Sequence, residues 1–568
     1  MRDLSKIKII PLGGIRENSK SMYIVEVEDQ IFILDVGLMY PENELFGIDA
    51  VIPDFTYLRE NADRIAGVFL SHGHEDAIGG LPYLLDEFDL PVFGSELTIE
   101  LAKLQNQNHG NSNFDDFHVV GQDTEIDFDG ILINFFQVTH TIPESMGISI
   151  RTDEGNIVYT GNFKFDQSAH GPYKTDFNRI SDIGKEGVFT LLSSSIEAES
   201  QEENVSDKRV QKVVNESFIQ TDGRIIVAAV KSNILRIQQI LNATSLTNRK
   251  IFVTGNQLTD ILDTAVKLKK LFLPEKNLIK PISEIDKYRD DQIVVLETGS
   301  SGEPIKTLRR MATKQHQHVN LKEDDLVYIA TSPSIAMEVT VAETENLIYR
   351  AGARVEKISD KIKASGHATP EDLQLMINLL NPRFFIPVQG EYRMLAAHAD
   401  LAHEAGINYS HIFLLSNGEV LEYHKGKMSS TGEVPADDTL VDGIGIGDVG
   451  NIVLRDRRLL SDDGILVAVV TIDRKKQKIV ADPHIVTRGF IFVKENYDLI
   501  NEANAIVKKV VKKNLKDNDF DWSSIKSDIR DDLSDYLFKQ TKRNPIILPV
   551  IMAVSYTHLR AHETRHDL

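Results

Sequence analysis

The chain has 568 residues, 42% of them hydrophobic and 26% charged, the balance of a soluble globular protein too long for a single core, so about three domains are expected. It contains no cysteine, which excludes disulfides, thiolate catalysis and cysteine-ligated zinc and leaves imidazole, carboxylate and amide groups as metal ligands. With 63 basic against 85 acidic residues the formal net charge is −22, a general repulsion toward phosphate that nucleic-acid binding must overcome through a local basic channel.

The N-terminus passes from Met1-Arg2-Asp3 straight into a strand-like Ile7-Lys8-Ile9-Ile10 without a charged-then-apolar leader. No apolar run approaches the ~20 residues of a membrane span, so a cytoplasmic location without membrane contact is expected. Short β-branched runs follow at Met22 to Val27, Ile31 to Leu34, Gly67 to Leu70, Ile131 to Val138, Gly147 to Ile150 and Ile157 to Thr160, and imply a layered sheet. Near Ser206 the texture changes. Val210, Val213, Val214 and Phe218 stand at helical spacing, then come a strand Ile225 to Val230, a helix Ile234 to Leu241, and strands at Ile293 to Leu296 and Leu326 to Ile329, the alternation of a doubly wound α/β insert. The earlier style returns with Ile386-Pro387-Val388 and a helix Tyr392 to His403. The expected division is 1–205 and 351–424 for the first domain, 206–350 for the insert, a linker at 425–450 and a small α+β domain at 451–554. In that last domain Arg455-Asp456-Arg457-Arg458 and Arg474-Lys475-Lys476 read as solvated hairpin ends, and the helix around Tyr497 to Leu515 as amphipathic. Residues 555–568 differ in composition and read as a cloning or assembly scar, so their histidines are set aside.

The chemistry concentrates in Phe69-Leu70-Ser71-His72-Gly73-His74-Glu75-Asp76-Ala77-Ile78-Gly79-Gly80, a tight turn after a predicted strand. His-x-His places two ligands on one side of the turn, and the carboxylate two residues later points to a neighbouring site. Paired ions in that geometry clamp a scissile phosphate and generate hydroxide from bound water.

This window resembles the His-x-His-x-Asp-His signature of the metallo-β-lactamase fold, with Ala77 in place of the last histidine. Leu34-Asp35-Val36-Gly37, Thr139-His140-Thr141, Thr160-Gly161-Asn162-Phe163-Lys164, Thr298-Gly299-Ser300-Ser301-Gly302, Ser365-Gly366-His367 and Val388-Gln389-Gly390-Glu391 resemble the ribonuclease J family, in order, between about Ile7 and Val554. The resemblance implies an α/β protein: a metallo-β-lactamase αββα sandwich, an inserted α/β β-CASP domain and a small C-terminal α+β domain used for assembly. It implies a first metal site at His72, His74 and His140, able to hold one zinc or manganese ion.

The second site is degenerate by the same comparison. Asp76 remains, Ala77 and Gln389 stand where the family has histidines, and Asn162 stands where it has a bridging carboxylate, so the second metal is expected to be absent. His367 matches a histidine beside the scissile phosphate, but its carboxylate partner is here Ser194, so the catalytic apparatus of His367 and Asp76 is expected to be damaged. Ser232, Asn233, Arg236, Gly299, Ser300, Ser301, Ser365, Gly366 and His367 match the phosphate-binding track for RNA with a 5′-monophosphate. Backbone N–H groups at helix N-termini suit that role. Three readings stay open: an RNA-binding partner subunit of a catalytically intact ribonuclease J, in homo- and hetero-oligomers; a weak single-metal 5′-to-3′ exoribonuclease with possible endonuclease activity; and a metal-free RNA-binding scaffold.

Overall fold

A computed structural model describes residues 6–41, 47–202, 205–254, 257–299, 303–331, 337–443, 445–473, 476–516 and 521–553. The chain divides into two compact units, Met1–Glu42 with Asp49–Val441, and Asn43–Ile48 with Asp442–Leu568.

The first unit is built on two facing sheets, of eight and six strands among the described residues. Strands such as Met22–Val27 and Val188–Ser194 are buried along their whole length, enclosed on both faces of their sheets. Phe32, Phe69 and Phe93 of one sheet meet Phe135, Ile148, Tyr159 and Phe384 of the other, with the Phe69 and Phe93 rings stacked at 5.0 Å. Helices Phe177–Glu186, Pro370–Leu380 and Tyr392–Glu404 pack Ile180, Met376 and Ala402 on the outer face of the second sheet. Leu81–Leu85 and Glu96–His109 bury Leu84 and Leu97 on the outer side of the first, giving the αββα sandwich.

The insert is a six-stranded, wholly parallel sheet with Ile225–Val230 between Ile293–Gly299 and Leu326–Ile329. It runs on to the strand Arg354–Lys357, past the boundary expected at 350.

In the second unit Ile465–Asp473 pairs antiparallel with Lys478–Arg488 and parallel with Ile546–Ala553. The helices Tyr497–Asn514 and Trp522–Thr541 bury Val507, Val511, Ile529 and Leu533 in the same core as Leu466 and Val470.

Two expectations are corrected, and one helix had gone unread. The stretch 425–450 is not an unstructured linker, because Lys427–Glu433 pairs with Glu419–His424 and Thr439–Asp442 pairs with Ala50–Ile52; polar strands at a sheet edge look like loop in composition. Arg455 to Arg458 lie within the helix Asn451–Asp463 rather than at a hairpin end. The helix Trp522–Thr541 went unread because its Ile525, Ile529, Leu533 and Leu537 stripe is one residue wide between charged neighbours. Arg474, Lys475 and the segment 555–568 lie outside the described residues.

Candidate metal centre

The strand Ile65–Phe69 ends beside Asp35, whose backbone is left-handed at φ 59°. The Asp35 carboxylate accepts from the Ser71 amide and hydroxyl, both at 2.7 Å, and from the Tyr159 hydroxyl at 2.8 Å. It thereby fixes the turn that carries the histidines. Burial pushes the Asp35 carboxyl up to about 6 against the opposing pull of His72. Ser71 Oγ, donating to Asp35, lies 2.8 Å from His72 Nδ1, so the imidazole N–H at Nδ1 donates to the serine and Nε2 is turned toward Asn162 and Asp76.

His74 and His140 are held in the same manner. His74 Nε2 is 3.2 Å from the Ser232 carbonyl oxygen, and His140 Nδ1 is 2.8 Å from that of Gly366. Their other nitrogens face each other at 3.1 Å. One ligand nitrogen from each of His72, His74 and His140 falls within 4.8 Å of the others. A tetrahedral ion with bonds of ~2.0–2.1 Å separates its ligand nitrogens by roughly 3.3 Å, and an outer hydrogen bond on each imidazole is the usual support of a metal-binding histidine. The donor set fits one ion of the zinc or manganese class. Burial, followed by the neighbouring His72, drives His74 down to about 3, which leaves it neutral, the form that ligates.

The positions of the second site hold a different structure. Gln389, Ser194 and Asn162 follow or end the adjacent strands Phe384–Val388, Val188–Ser194 and Gly155–Tyr159, and the register sets Ser194 opposite Val388 and Leu192 opposite Tyr159. Asp76 Oδ2 accepts from Asn162 Nδ2 at 2.9 Å and from Gln389 Nε2 at 2.8 Å. Asn162 Oδ1 accepts from Ser194 Oγ at 3.1 Å. Ser194 thus orients the Asn162 amide that donates to the carboxylate, and the Gln389 amide donates to the same oxygen as a separate branch. Ala77 is fully buried with only a methyl group to offer. Burial works against the Asp76 charge, but His72 at 3.6 Å and the other imidazoles outweigh it and hold the carboxyl well below its usual range. This donor set fits a second cation poorly: Asp76 Oδ2 already accepts two N–H donors, and Ala77, Asn162 and Gln389 bring no imidazole or further carboxylate to the position.

His367 packs 5.5 Å from the His140 ring. Burial lowers its pKa, with Glu197 and then Asp76 opposing. Its backbone N–H donates to Ser365 Oγ at 3.1 Å. Gly366 is required where it stands, since a Cβ would lie 2.5 Å from Thr141 Cγ2.

The expected phosphate track is placed unevenly. Asn233 caps the helix Ile234–Leu246 by accepting from the Arg236 N–H, and the amides of Ile234 and Leu235 donate to the Ser232 and Thr141 carbonyls. These helix N-terminal amides are therefore engaged within the protein. The guanidinium of Arg236 remains. It is buried, Nη2 donates to the Ala364 carbonyl at 3.3 Å, and Nε and Nη1 have no hydrogen-bond partner among the described residues. Gly299 ends its strand buried next to Val230, whereas Ser300 and Ser301 lie outside the described residues.

The residues that orient the imidazoles, Ser71 and the carbonyls of Ser232 and Gly366, were not read as such from the sequence. Only the Leu-Asp-Val-Gly window around Asp35 carried a signal, because backbone carbonyls leave none.

Four family models match this chain: the metallo-beta-lactamase superfamily at 15–195, the ribonuclease J beta-CASP domain at 222–347, the Zn-dependent metallo-hydrolase RNA specificity domain at 353–412, and the ribonuclease J C-terminal domain at 452–554. A Streptococcus pyogenes protein named Ribonuclease J 2 is 50% identical over 97% of this chain and 100% of its own length. A Staphylococcus aureus protein of the same name is 46% identical over 96% of this chain and 98% of its own. A solved structure of a protein of unknown function from Enterococcus faecalis V583 superposes with a TM-score of 0.51 at 15% identity, covering 74% of this chain and all of that one, a likeness of fold.

Proposed function

The chain belongs to the ribonuclease J family, and we propose that it is an RNA-binding member holding at most one metal ion, acting mainly as the partner subunit of a catalytically intact ribonuclease J in RNA decay and processing. The observation that carries this reading is that Asp76 Oδ2 accepts the amides of both Asn162 and Gln389. Two-metal phosphodiester cleavage needs a second ion to stabilise the attacking or leaving oxygen, and here amide donors occupy the Asp76 oxygen that faces the altered positions.

What remains is suited to holding RNA. Arg236 is a buried cation with unmet donors, a costly arrangement that an anion relieves. Its bond to the Ala364 carbonyl sets the guanidinium against the segment that runs on into Ser365, Gly366 and His367, so a terminal phosphate bound by the guanidinium meets its unmet donors at that segment. An ion held by His72, His74 and His140 supplies a Lewis acid able to polarise a phosphate oxygen. The intact orientation of these three imidazoles favours a second reading, a weak 5′-to-3′ exoribonuclease in its own right.

The deciding experiment follows degradation of 5′-monophosphorylated RNA with added manganese by this chain, by an intact family member and by their equimolar mixture. Little activity alone with altered activity in the mixture is expected. Robust activity alone that vanishes with His74→Ala establishes the single-metal enzyme instead.

A further inference from the structure

Within the second unit, five lysines fall in nine residues, Lys508, Lys509, Lys512, Lys513 and Lys516. The first four lie on the helix Tyr497–Asn514 and the last in the turn that follows it. Their direction is set by packing. Ala503, Val507, Val510, Val511 and Leu515 are buried against the sheet and the neighbouring helix, so the remaining face must point outward, and Lys509, Lys512, Lys513 and Lys516 are exposed. Lys508, Lys512 and Lys516 repeat every four residues along one row, with Lys509 and Lys513 beside them, over about 12 Å at 1.5 Å per residue.

Like charges at that spacing repel and destabilise the helix. A favourable helix dipole accounts for only part of the stripe, because Lys508 and Lys509 lie before the last turn, where that effect fades. Lysines elsewhere are drawn into ion pairs, as Lys164 is with Asp207 and Lys250 with Glu275. Among the described residues, the stripe has one such partner, Asp482 at 2.5 Å from Lys508, and no ion pair engages the other four.

We propose that this lysine stripe is a sequence-independent contact for the RNA backbone, distinct from the histidine cluster and Arg236 of the first unit. In a chain of net charge −22 it is a concentrated local source of attraction for polyphosphate. Compact ammonium groups bind phosphate as point charges and read no base edges. The open concavity here is lined by these lysines and Ala505, without an aromatic ring on which a base could stack. The inference rests on the RNA-binding reading above.

The test compares the full chain with a variant carrying glutamine at all five positions and another carrying arginine. Glutamine keeps helix propensity close to that of lysine. Binding of a 20-nucleotide 5′-monophosphorylated RNA is measured by fluorescence anisotropy across a salt series, beside Arg236→Ala and a polyglutamate probe. The glutamine variant is expected to bind at least tenfold more weakly, with the log K against log salt slope reduced by about 2, the loss of roughly three single-strand phosphate contacts. The arginine variant should bind as the parent does. An unchanged slope and affinity in the glutamine variant, with the parent binding RNA, overturns the stripe alone. Loss of polyglutamate binding with RNA binding intact marks an acidic-protein surface and overturns it equally. If the parent itself does not bind RNA, the functional reading fails and this inference with it.

Discussion

Gln389 donates its side-chain amide to Asp76 across 2.8 Å, joining residues 313 positions apart in the chain. Gln389 itself sits in the left-handed region at φ 53°, held there by its N–H to the Gly14 carbonyl and by the Gly390 N–H to that of Glu17. A non-glycine residue is strained in that conformation. The strain is offset by the bonds that aim the amide at the carboxylate.

Gln389→Leu keeps the volume but removes the donor. It should destabilise the fold by about 1–3 kcal/mol, the range for a hydrogen bond to a buried charged group. Calorimetric unfolding is the measurement, and a midpoint equal to that of the parent would mean that Asp76 finds another donor.

Metal count tests the two sites separately. The parent is expected to retain at most one zinc or manganese ion per chain after dialysis, and His74→Ala close to none. The triple change Ala77→His, Asn162→Asp and Gln389→His restores ligands and should raise the count toward two, with nuclease activity rising by orders of magnitude. Elemental analysis reads the count independently of activity. A triple variant that still binds one ion would show that ligand identity alone does not govern the second site. Asn162→Asp by itself should be destabilising without metal, because it sets a second carboxylate within hydrogen-bond distance of Asp76.

Arg236→Ala should erase discrimination between 5′-monophosphorylated and 5′-hydroxyl RNA, weakening the former by about 10- to 100-fold, the equivalent of one charge-assisted contact. Competitive binding with the two RNAs measures the ratio. Equal losses for both would place Arg236 on the backbone track rather than at the terminal phosphate. Because the guanidinium is buried, Arg236→Lys should recover little.

Acid stability should depend on His398, a fully buried imidazole bonded through Nδ1 to Ser195 Oγ at 3.0 Å. Burial lowers it from 6.5 to about 3. Its folded pKa lies below the unfolded one, so the unfolded chain binds the extra proton between these values. Stability is then full above pH 6.5 and falls as the pH drops toward 3, by up to about 1.4 kcal/mol per pH unit. His398→Gln should flatten that slope between pH 6 and 4 in denaturant titrations, and a slope unchanged by the substitution would assign the acid sensitivity to other groups.

The family and the layered fold were legible in one dimension. His72, His74 and Asp76 lie within five residues, and apolar runs such as Met22–Val27 and Ile225–Val230 announce buried strands whatever their partners. The departures at Ala77, Asn162, Ser194 and Gln389 were equally visible, because the absence of an imidazole or carboxylate is a matter of residue identity. What the residues at these positions bond to was not visible. That the Ser194–Asn162 pair and Gln389 converge as donors on Asp76 depends on the register of three adjacent strands, and a slip of one residue would turn each side chain to the other face. The same reason hid the capped amides ahead of the Ile234–Leu246 helix and the Ser232 and Gly366 carbonyls behind His74 and His140. Sequence determined which chemical groups this protein possesses; only the tertiary structure decided which donor meets which acceptor, because hydrogen bonds are won or lost over tenths of an ångström between segments far apart in the chain.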